Sequence, residues 1–367
     1  MARYVADDGR ERTKSFGRKV DAQRWLDVQV SDQVVGQWVA PDLSAQTFGA
    51  VAETWIATKA HRKPKTVAGY RSLLDTVILP KWENVALRDI AHAELQTWIS
   101  GLSAVGGSTR FAKRGLSPSR VIQAHQVISA VFKFAVRSKF LAVNPAEGIE
   151  LPDKLEVEQR YLTHETAHRL AVACGEHRTL ALTLTYCGLR FGEAVALQVG
   201  DVDLKARRIT VRRAVTYVTG QGLVEGSPKN RTTRRVPIPK FLAPLLETET
   251  ADRPVDALVF PGRDNGWLTE GAYRWVFDQA AEKIGEKGLT PHQLRHTCAS
   301  LAIQAGANVK VLQTLLGHKT ATLTLDRYGH LFPDDLDKIS DAFDAAAAST
   351  ADWLRTGRGL RSVSGPN

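Results

Sequence analysis

Residues 289–301 read LTPHQLRHTCASL, and the reading of this stretch decides the fold of the second half of the chain. Thr290, Pro291 and Gln293 spell a helix start. A threonine hydroxyl suits the cap, a proline loses nothing at the first helical position, and a glutamine three residues on can reach back to the cap amide. Leu294, Cys298, Leu301 and Ala302 then recur at helical spacing and predict a stripe that faces the core. His292 and Arg295 are three apart, so they share another face of the first turn. Unpaired backbone amides there favour an anion. Alone, a His-x-x-Arg pair reads as ordinary polar helix surface.

Toward the C-terminus, Asn308 suits the cap of a further helix. Val311, Leu312, Leu315 and Leu316 form its apolar stripe, and Gly317 supplies the positive-φ residue that ends it. His318 follows at once, so a defined cap fixes its place. Tyr328 lies ten residues on, within TATLTLDRYGHLF. Toward the N-terminus, Arg190 opens FGEAVAL, and Glu193 stands three residues later, in range to orient it. Lys229 lies in GSPKN, a polar turn region between two expected strands. Ile209, Val211, Val215 and Tyr217 alternate as a strand would, Gly220-Gln221-Gly222 offers a turn, and residues 235–238 read as the return strand. Pro237 and Pro239 cannot donate to a ladder, which makes that strand an edge. Thr163 is placed to cap a helix through Ala173, and residues 273–284 read as another helix. Taken singly, each polar residue has a bland reading. His318 can serve a helix C-terminus, Tyr328 a core, Arg190 a surface ion pair and Lys229 the solvent.

The first half divides differently. Residues 1–40 predict a β-hairpin turning at Asp7-Asp8-Gly9-Arg10, with a helix over 20–34. Arg10, Arg12, Lys14 and Arg18 give this segment a basic edge that suits either DNA or solvent. Residues 45–148 predict a helical domain. Its stripes are Phe48, Val51, Ala52, Trp55 and Ile56; residues 66–79; Leu95, Trp98, Ile99 and Leu102; and Val121, Ile122, His125, Ile128, Val131, Phe132 and Val136. Arg62, Lys63 and Lys65 in HRKPK, with Lys113 and Arg114, are loop cations free of acidic neighbours and suit phosphate contacts. Pro145 ends the last helix, and the polar run 149–160 reads as a linker. A mixed domain over 161–347 and a disordered tail over 348–367 complete the layout. The fold class is mainly α with small β elements.

At 367 residues the chain is long enough for two or three domains. A formal charge of +10 and a pI near 9.6 favour polyanionic partners. No apolar run approaches the ~20 residues of a membrane span, and the N-terminus carries no secretory signal. The cytoplasm is the expected compartment. Cys174, Cys187 and Cys298 form no CxxC pair, which argues against zinc or a disulfide framework.

The order Arg, Lys, His-x-x-Arg, His, Tyr, carried by LRFGE, SPKN, HQLRH, LLGH and RYGH, resembles the tyrosine recombinase family of phage-type integrases. The resemblance spans residues 45–340. It implies a helical, SAM-like core-binding domain, a mixed α/β catalytic domain, and an arm-type DNA-binding segment at 1–40. It implies DNA strand cleavage and rejoining through a 3′-phosphotyrosyl bond, with no metal or other cofactor. Tyr328 would be the nucleophile. Arg190 and Arg295 would grip the phosphate, Lys229 would protonate the leaving oxygen, and His292 would sit at the Tyr328 hydroxyl. His318 would donate to a phosphate oxygen, and Glu193 would fix Arg190. The implied partners are double-stranded attachment-site DNA and three further copies at synapsis, with room for an excision factor or a DNA-bending host protein. Free in solution, the chain is expected as a monomer or weak oligomer. A resolvase, a type IB topoisomerase-like strand transferase and a catalytically silent DNA-binding protein are the alternatives.

Overall fold

A computed structural model describes residues 1–356, apart from 7–8, 36–37, 107–113, 155–158, 229–231 and 333–335. The chain divides into two compact units, Met1–Glu158 with Tyr217–Gly222, and Gln159–Thr216 with Leu223–Asn367.

The first unit opens with β1 (Ala2–Val5) and β2 (Glu11–Lys14), paired antiparallel with Ala2 opposite Lys14. Gly9, at φ 75°, lies in the connection, while Asp7 and Asp8 of the expected turn fall outside the described residues. Helix α1 (Lys19–Val34) is pinned to this hairpin by Tyr4. The Tyr4 hydroxyl donates to Gln29 Oε1 at 2.9 Å and accepts from Trp38 Nε1 at 2.8 Å. After α2 (Pro41–Ser44) come α3 (Phe48–Ala57), α4 (Pro64–Leu73), α5 (Leu79–Trp82), α6 (His92–Gly101) and α7 (Pro118–Arg137). Their stripes close on one core in which Phe48 meets Phe132 at 5.3 Å and Trp82 is buried. The stripe over 66–79 is not one regular helix. A π-helical turn, Leu74–Ile78, separates α4 from α5. Pro80 has no amide for the carbonyl four residues back, and a wider turn absorbs that loss.

The second unit packs α8 (His164–Ala173), α9 (Arg178–Cys187), α10 (Phe191–Ala194), α11 (Ala243–Thr250), α12 (Glu270–Lys283) and α13 (Pro291–Gln304) around a core rich in leucine. It closes with α14 (Val309–Leu316), α15 (Ala321–Tyr328) and α16 (Leu336–Thr356). The caps follow the side chains that favour them. Thr163 Oγ1 accepts from Thr166 N at 3.1 Å, Asn308 Oδ1 from Val311 N at 2.9 Å, and Gln293 Oε1 from Thr290 N at 2.7 Å.

Three expectations need correction. The alternating run 209–217 is two strands, β4 (Arg208–Val211) and β5 (Ala214–Val218). Between them Arg212 and Arg213 both turn to the buried Asp201 carboxylate, Arg212 Nε at 2.8 Å, and the chain bends there. The return strand β7 (Arg234–Pro237) therefore pairs with β4, in the order β3-β4-β7 with β3 at Val202–Asp203. It is an edge strand, as its proline requires. The glycine turn instead joins β5 to β6 (Gly222–Gly226). Next, α16 runs on to Thr356, so residues 348–356 are helix rather than disordered tail. The run Ala345-Ala346-Ala347-Ala348 has the highest helix propensity available. Residues 357–367 of the expected tail lie outside the described residues, as does part of the expected linker. Finally, Val311 is exposed rather than part of the buried stripe of α14. No helix among the described residues is long and apolar enough to cross a membrane.

Candidate active site

Two helix C-termini build the floor of the site. Helix α9 ends at Gly188 (φ 63°) and α14 at Gly317 (φ 62°), both left-handed. Last-turn carbonyls of a helix lack amide partners and carry the negative end of its dipole. Arg295, one turn into α13, donates Nη1 to Gly188 O and Nη2 to Leu316 O. The guanidinium is only 3% exposed and is held by carbonyls. Burial, then the nearby Arg190 cation, draws its pKa down to about 9, so it stays charged at pH 7. A side chain would be strained at both glycines, whose φ is positive, and crowded as well. A Cβ on Gly188 would stand 3.0 Å from Cys298 Sγ, and one on Gly317 2.8 Å from Arg234 Cδ.

Glu193, 1% exposed, is the hub of the next layer. Its carboxylate accepts from Arg190 N at 3.0 Å and Arg190 Nη1 at 2.8 Å. On its other side Arg234 donates Nη1 at 3.1 Å and Nη2 at 2.7 Å, a two-pronged grip. Burial pushes the Glu193 pKa up, but the Arg234 hydrogen bonds and the Arg234 and Arg190 charges outweigh it and hold it at about 2. Arg234 spends its remaining Nε on Leu315 O at 3.2 Å, so its fork is committed to structure. Arg190 keeps part of its guanidinium in solvent.

Tyr328, the last residue of α15, is 1% exposed and packs among Ala299, Ile303, Leu312 and Leu316. Its hydroxyl lies 2.8 Å from His296 Nδ1. The His318 ring lies parallel to the phenol, at 2° and 6.3 Å between centroids. Burial raises the Tyr328 pKa to about 12, with the Arg295 and Arg327 cations acting against it. Burial, followed by the charge of His292, Arg327 and Arg295, lowers His296 to about 4. His318 falls to about 4 as well, through burial and then Arg295, Arg190, Arg327 and Arg234. Both imidazoles are therefore neutral at pH 7. Thr324 Oγ1 lies 2.9 Å from His318 Nδ1; a proton donated by that hydroxyl leaves Nε2 as the N–H of the ring.

Arg190, Glu193, Arg295, His318 and Tyr328 thus come together from four separate stretches of sequence. His292 does not reach the hydroxyl. It is exposed, and its ring meets His296 edge-on at 4.9 Å and 86°. Lys229 and Lys113 lie outside the described residues. Of the first-unit cations, Arg12 pairs with Asp42 at 3.3 Å and Lys14 lies 5.4 Å over Phe16, while Arg10 and Arg18 are exposed at the hairpin and the start of α1. Arg62, Lys63 and Lys65 cluster at the start of α4, and Arg114 is exposed before α7. Among the described residues, no three His, Cys, Asp or Glu side chains group to hold a metal ion.

Two members of the site, Arg234 and His296, are not among the six residues of the Arg, Lys, His-x-x-Arg, His, Tyr pattern. Arg234 shares the inward face of β7 with Val236, and period-two alternation from Val236 would have placed it inside. His296 stands at helical spacing from Ala299 and Ile303, the residues that pack on Tyr328.

Residues 160–334 match the phage integrase family, and residues 47–103 match the N-terminal SAM-like domain of phage integrases. The chain is 30% identical over 347 residues to the prophage phiRv2 integrase of Mycobacterium tuberculosis H37Rv, covering 90% of this chain and 88% of that one. It is 28% identical to the integrase of Mycobacterium phage L5 over 328 residues, 85% of each. Its fold matches the Tn1549 transposon integrase solved with transposon right-end DNA, at a TM-score of 0.67 and 21% identity over 82% of this chain and 100% of that one. It also matches a lambda integrase tetramer bound to a Holliday junction, at 0.56 and 17% over 90% and 92%. These relatives do not favour the relaxing or catalytically silent alternatives. With a relative this similar along nearly its whole length, the chain belongs to the phage integrase family of tyrosine recombinases.

Proposed function

We propose that this chain integrates or excises a phage or other mobile element by cutting and rejoining attachment-site DNA, with Tyr328 as the nucleophile. The enzyme class, a tyrosine-type site-specific DNA recombinase, follows from the family. The residue assignment rests on one observation: the Arg295 charge acts on the Tyr328 phenol and on His318, whose ring lies parallel to that phenol and also feels the Arg190 charge, while His296 Nδ1 holds the hydroxyl. Tyr328 Oη attacks the scissile phosphorus and loses its proton to solvent, while the 5′ oxygen leaves, giving a 3′-phosphotyrosyl bond. A 5′-hydroxyl of the partner strand reverses the step. Negative charge spreads over the non-bridging oxygens as the reaction proceeds, so guanidiniums fixed beforehand stabilise that state more than the ground state. Lys229 protonates the leaving oxygen in this scheme, and His318 donates to a phosphate oxygen.

The first unit offers a surface for the duplex. A groove of about 270 Å³ between α4 and α7 is lined by Trp55, Lys65, Tyr70, Arg120, Gln123 and Gln126. Helix α7 carries Arg120, Lys133 and Arg137 and no acidic residue. Lysine and arginine neutralise phosphates, and glutamine can read a base edge. The lambda integrase in the solved complex is a tetramer on a Holliday junction. The same assembly suits this chain, because exchanging four strands needs four nucleophiles. We assign the work to the cytoplasm, on nucleoid DNA.

The test is a nicked duplex that spans the junction between element and chromosome, incubated with protein in EDTA. The wild type should form a covalent protein–DNA band; Tyr328→Phe should bind the duplex and form none. A strict metal requirement, or an adduct in Tyr328→Phe, would contradict the scheme.

A further inference from the structure

We propose that His296, which follows Arg295 in HQLRH but is not one of the six residues of the Arg, Lys, His-x-x-Arg, His, Tyr pattern, orients the nucleophile by accepting the Tyr328 hydroxyl proton in a hydrogen bond to Nδ1. The inference rests on Tyr328 being the nucleophile. The contact itself is a 2.8 Å bond between two buried groups. Nδ1 is the one hydrogen-bond partner of the Tyr328 hydroxyl among the described residues, so we assign the phenol as donor and Nδ1 as acceptor, which puts the imidazole proton on Nε2.

Helix geometry explains why this residue and not His292 meets the hydroxyl. Successive residues project about 100° apart around a helix. Arg295 points to the C-termini of α9 and α14, where its fork meets Gly188 O and Leu316 O. His296 points to the next sector, which Ala299 and Ile303 continue and Tyr328 fills. His292 lies one turn earlier and touches His296 edge-on. One rigid helix therefore carries both a phosphate-gripping cation and the hydroxyl acceptor, in adjacent positions. No movement of one element against another is needed to keep their spacing.

His296 is an orienting group and not a strong base. Protonating it would place a cation beside His292, Arg327 and Arg295. The bond fixes the direction of the phenol oxygen, and near-attack geometry is sensitive to that. A displacement of about 1 Å can cost on the order of 100-fold in rate.

The experiment compares single-turnover cleavage of the nicked junction duplex by the full chain. His296→Asn keeps an acceptor oxygen near the place of Nδ1 and should cleave within about 10-fold of wild type. His296→Phe keeps the ring and loses the acceptor, and should fall about 100-fold, with duplex affinity unchanged in both. Cleavage by His296→Phe at the wild-type rate would reduce the contact to packing and overturn the proposal. Equal loss in both variants, with the acid limb of the pH–rate profile displaced, would make His296 a proton acceptor and also overturn it. A second measurement needs no variant to fold. Nitrogen NMR of the wild-type imidazoles should find His296 as the Nε2–H tautomer, and finding Nδ1–H would refute the bond. Should Tyr328→Phe still form the adduct, the nucleophile assignment fails instead, while the tautomer reports on the bond alone.

Discussion

The guanidinium layer and the tyrosine pocket meet on α13, yet they handle charge in opposite ways. Around Glu193 the charge is fixed in advance: one buried carboxylate holds Arg190 and Arg234, and Arg295 stays cationic on helix carbonyls. At Tyr328 the phenol is protonated at pH 7 and both flanking imidazoles are uncharged, although the Arg295 and Arg327 cations lie close enough to act on all three. The difference suits the chemistry. A phosphate gains from cations already in place, because no reorganisation is then needed in the transition state. On the proposed assignment, a tyrosine nucleophile held neutral is not trapped in an ion pair with those same cations.

The largest effect that would sharpen this contrast concerns the proton. If Lys229 serves the leaving oxygen, Lys229→Ala should slow cleavage by ~10²–10⁴-fold. A bridging sulfur at the scissile position is a better leaving group and should restore most of that rate. Failure of the sulfur substrate to rescue would remove Lys229 as the acid. Next comes the fixed charge. Arg234→Met leaves Glu193 buried with half its partners, and breaking such a pair costs about 3–5 kcal/mol. A thermal or urea unfolding curve reads this directly; an unchanged midpoint would break the picture of a structural clamp.

Acid should dismantle the two regions in turn. His296 and His318 have pKa values lowered from 6.5 to about 4 in the fold. The unfolded chain binds those protons more readily, so their stabilising contribution is complete above pH 6.5 and fades as pH falls toward 4. Glu193 is lowered from 4.5 to about 2, so its contribution is complete above 4.5 and fades toward 2. Melting temperature against pH should therefore drop first through the pocket and then through the guanidinium layer. His318→Asn should flatten the first segment and spare the second; flattening of the second instead would reverse the assignment. The smallest effect lies in the first unit. Lys65→Ala should lower the slope of log affinity against log salt by about 0.9, the loss of one phosphate contact.

Much of this was legible in the residues. The capping box at Thr290, the Asn308 cap and the Gly317 stop each follow from a side chain acting on its own backbone, and local chemistry can be read locally. The break between β4 and β5 was not, because it depends on Asp201 drawing Arg212 and Arg213 out of the strand. Arg234 was half legible: alternation from Val236 turns it inward, but its partner lies forty-one positions away. The placement of His292 at the hydroxyl failed for a simple reason. A motif records which residues recur, whereas the direction of a side chain depends on which neighbours its helix packs against. The carbonyl grip on Arg295 was invisible for the same reason, since it joins two helix ends that sequence distance keeps apart.

The most direct measurement is to digest the trapped protein–DNA adduct with trypsin and find the peptide that carries the nucleotides. Cleavage after Arg327 and Lys338 yields YGHLFPDDLDK, residues 328–338, and this peptide should bear the phosphate through Tyr328. Nucleotides found instead on YLTHETAHR, residues 161–169, or on any other tyrosine peptide, would contradict the account.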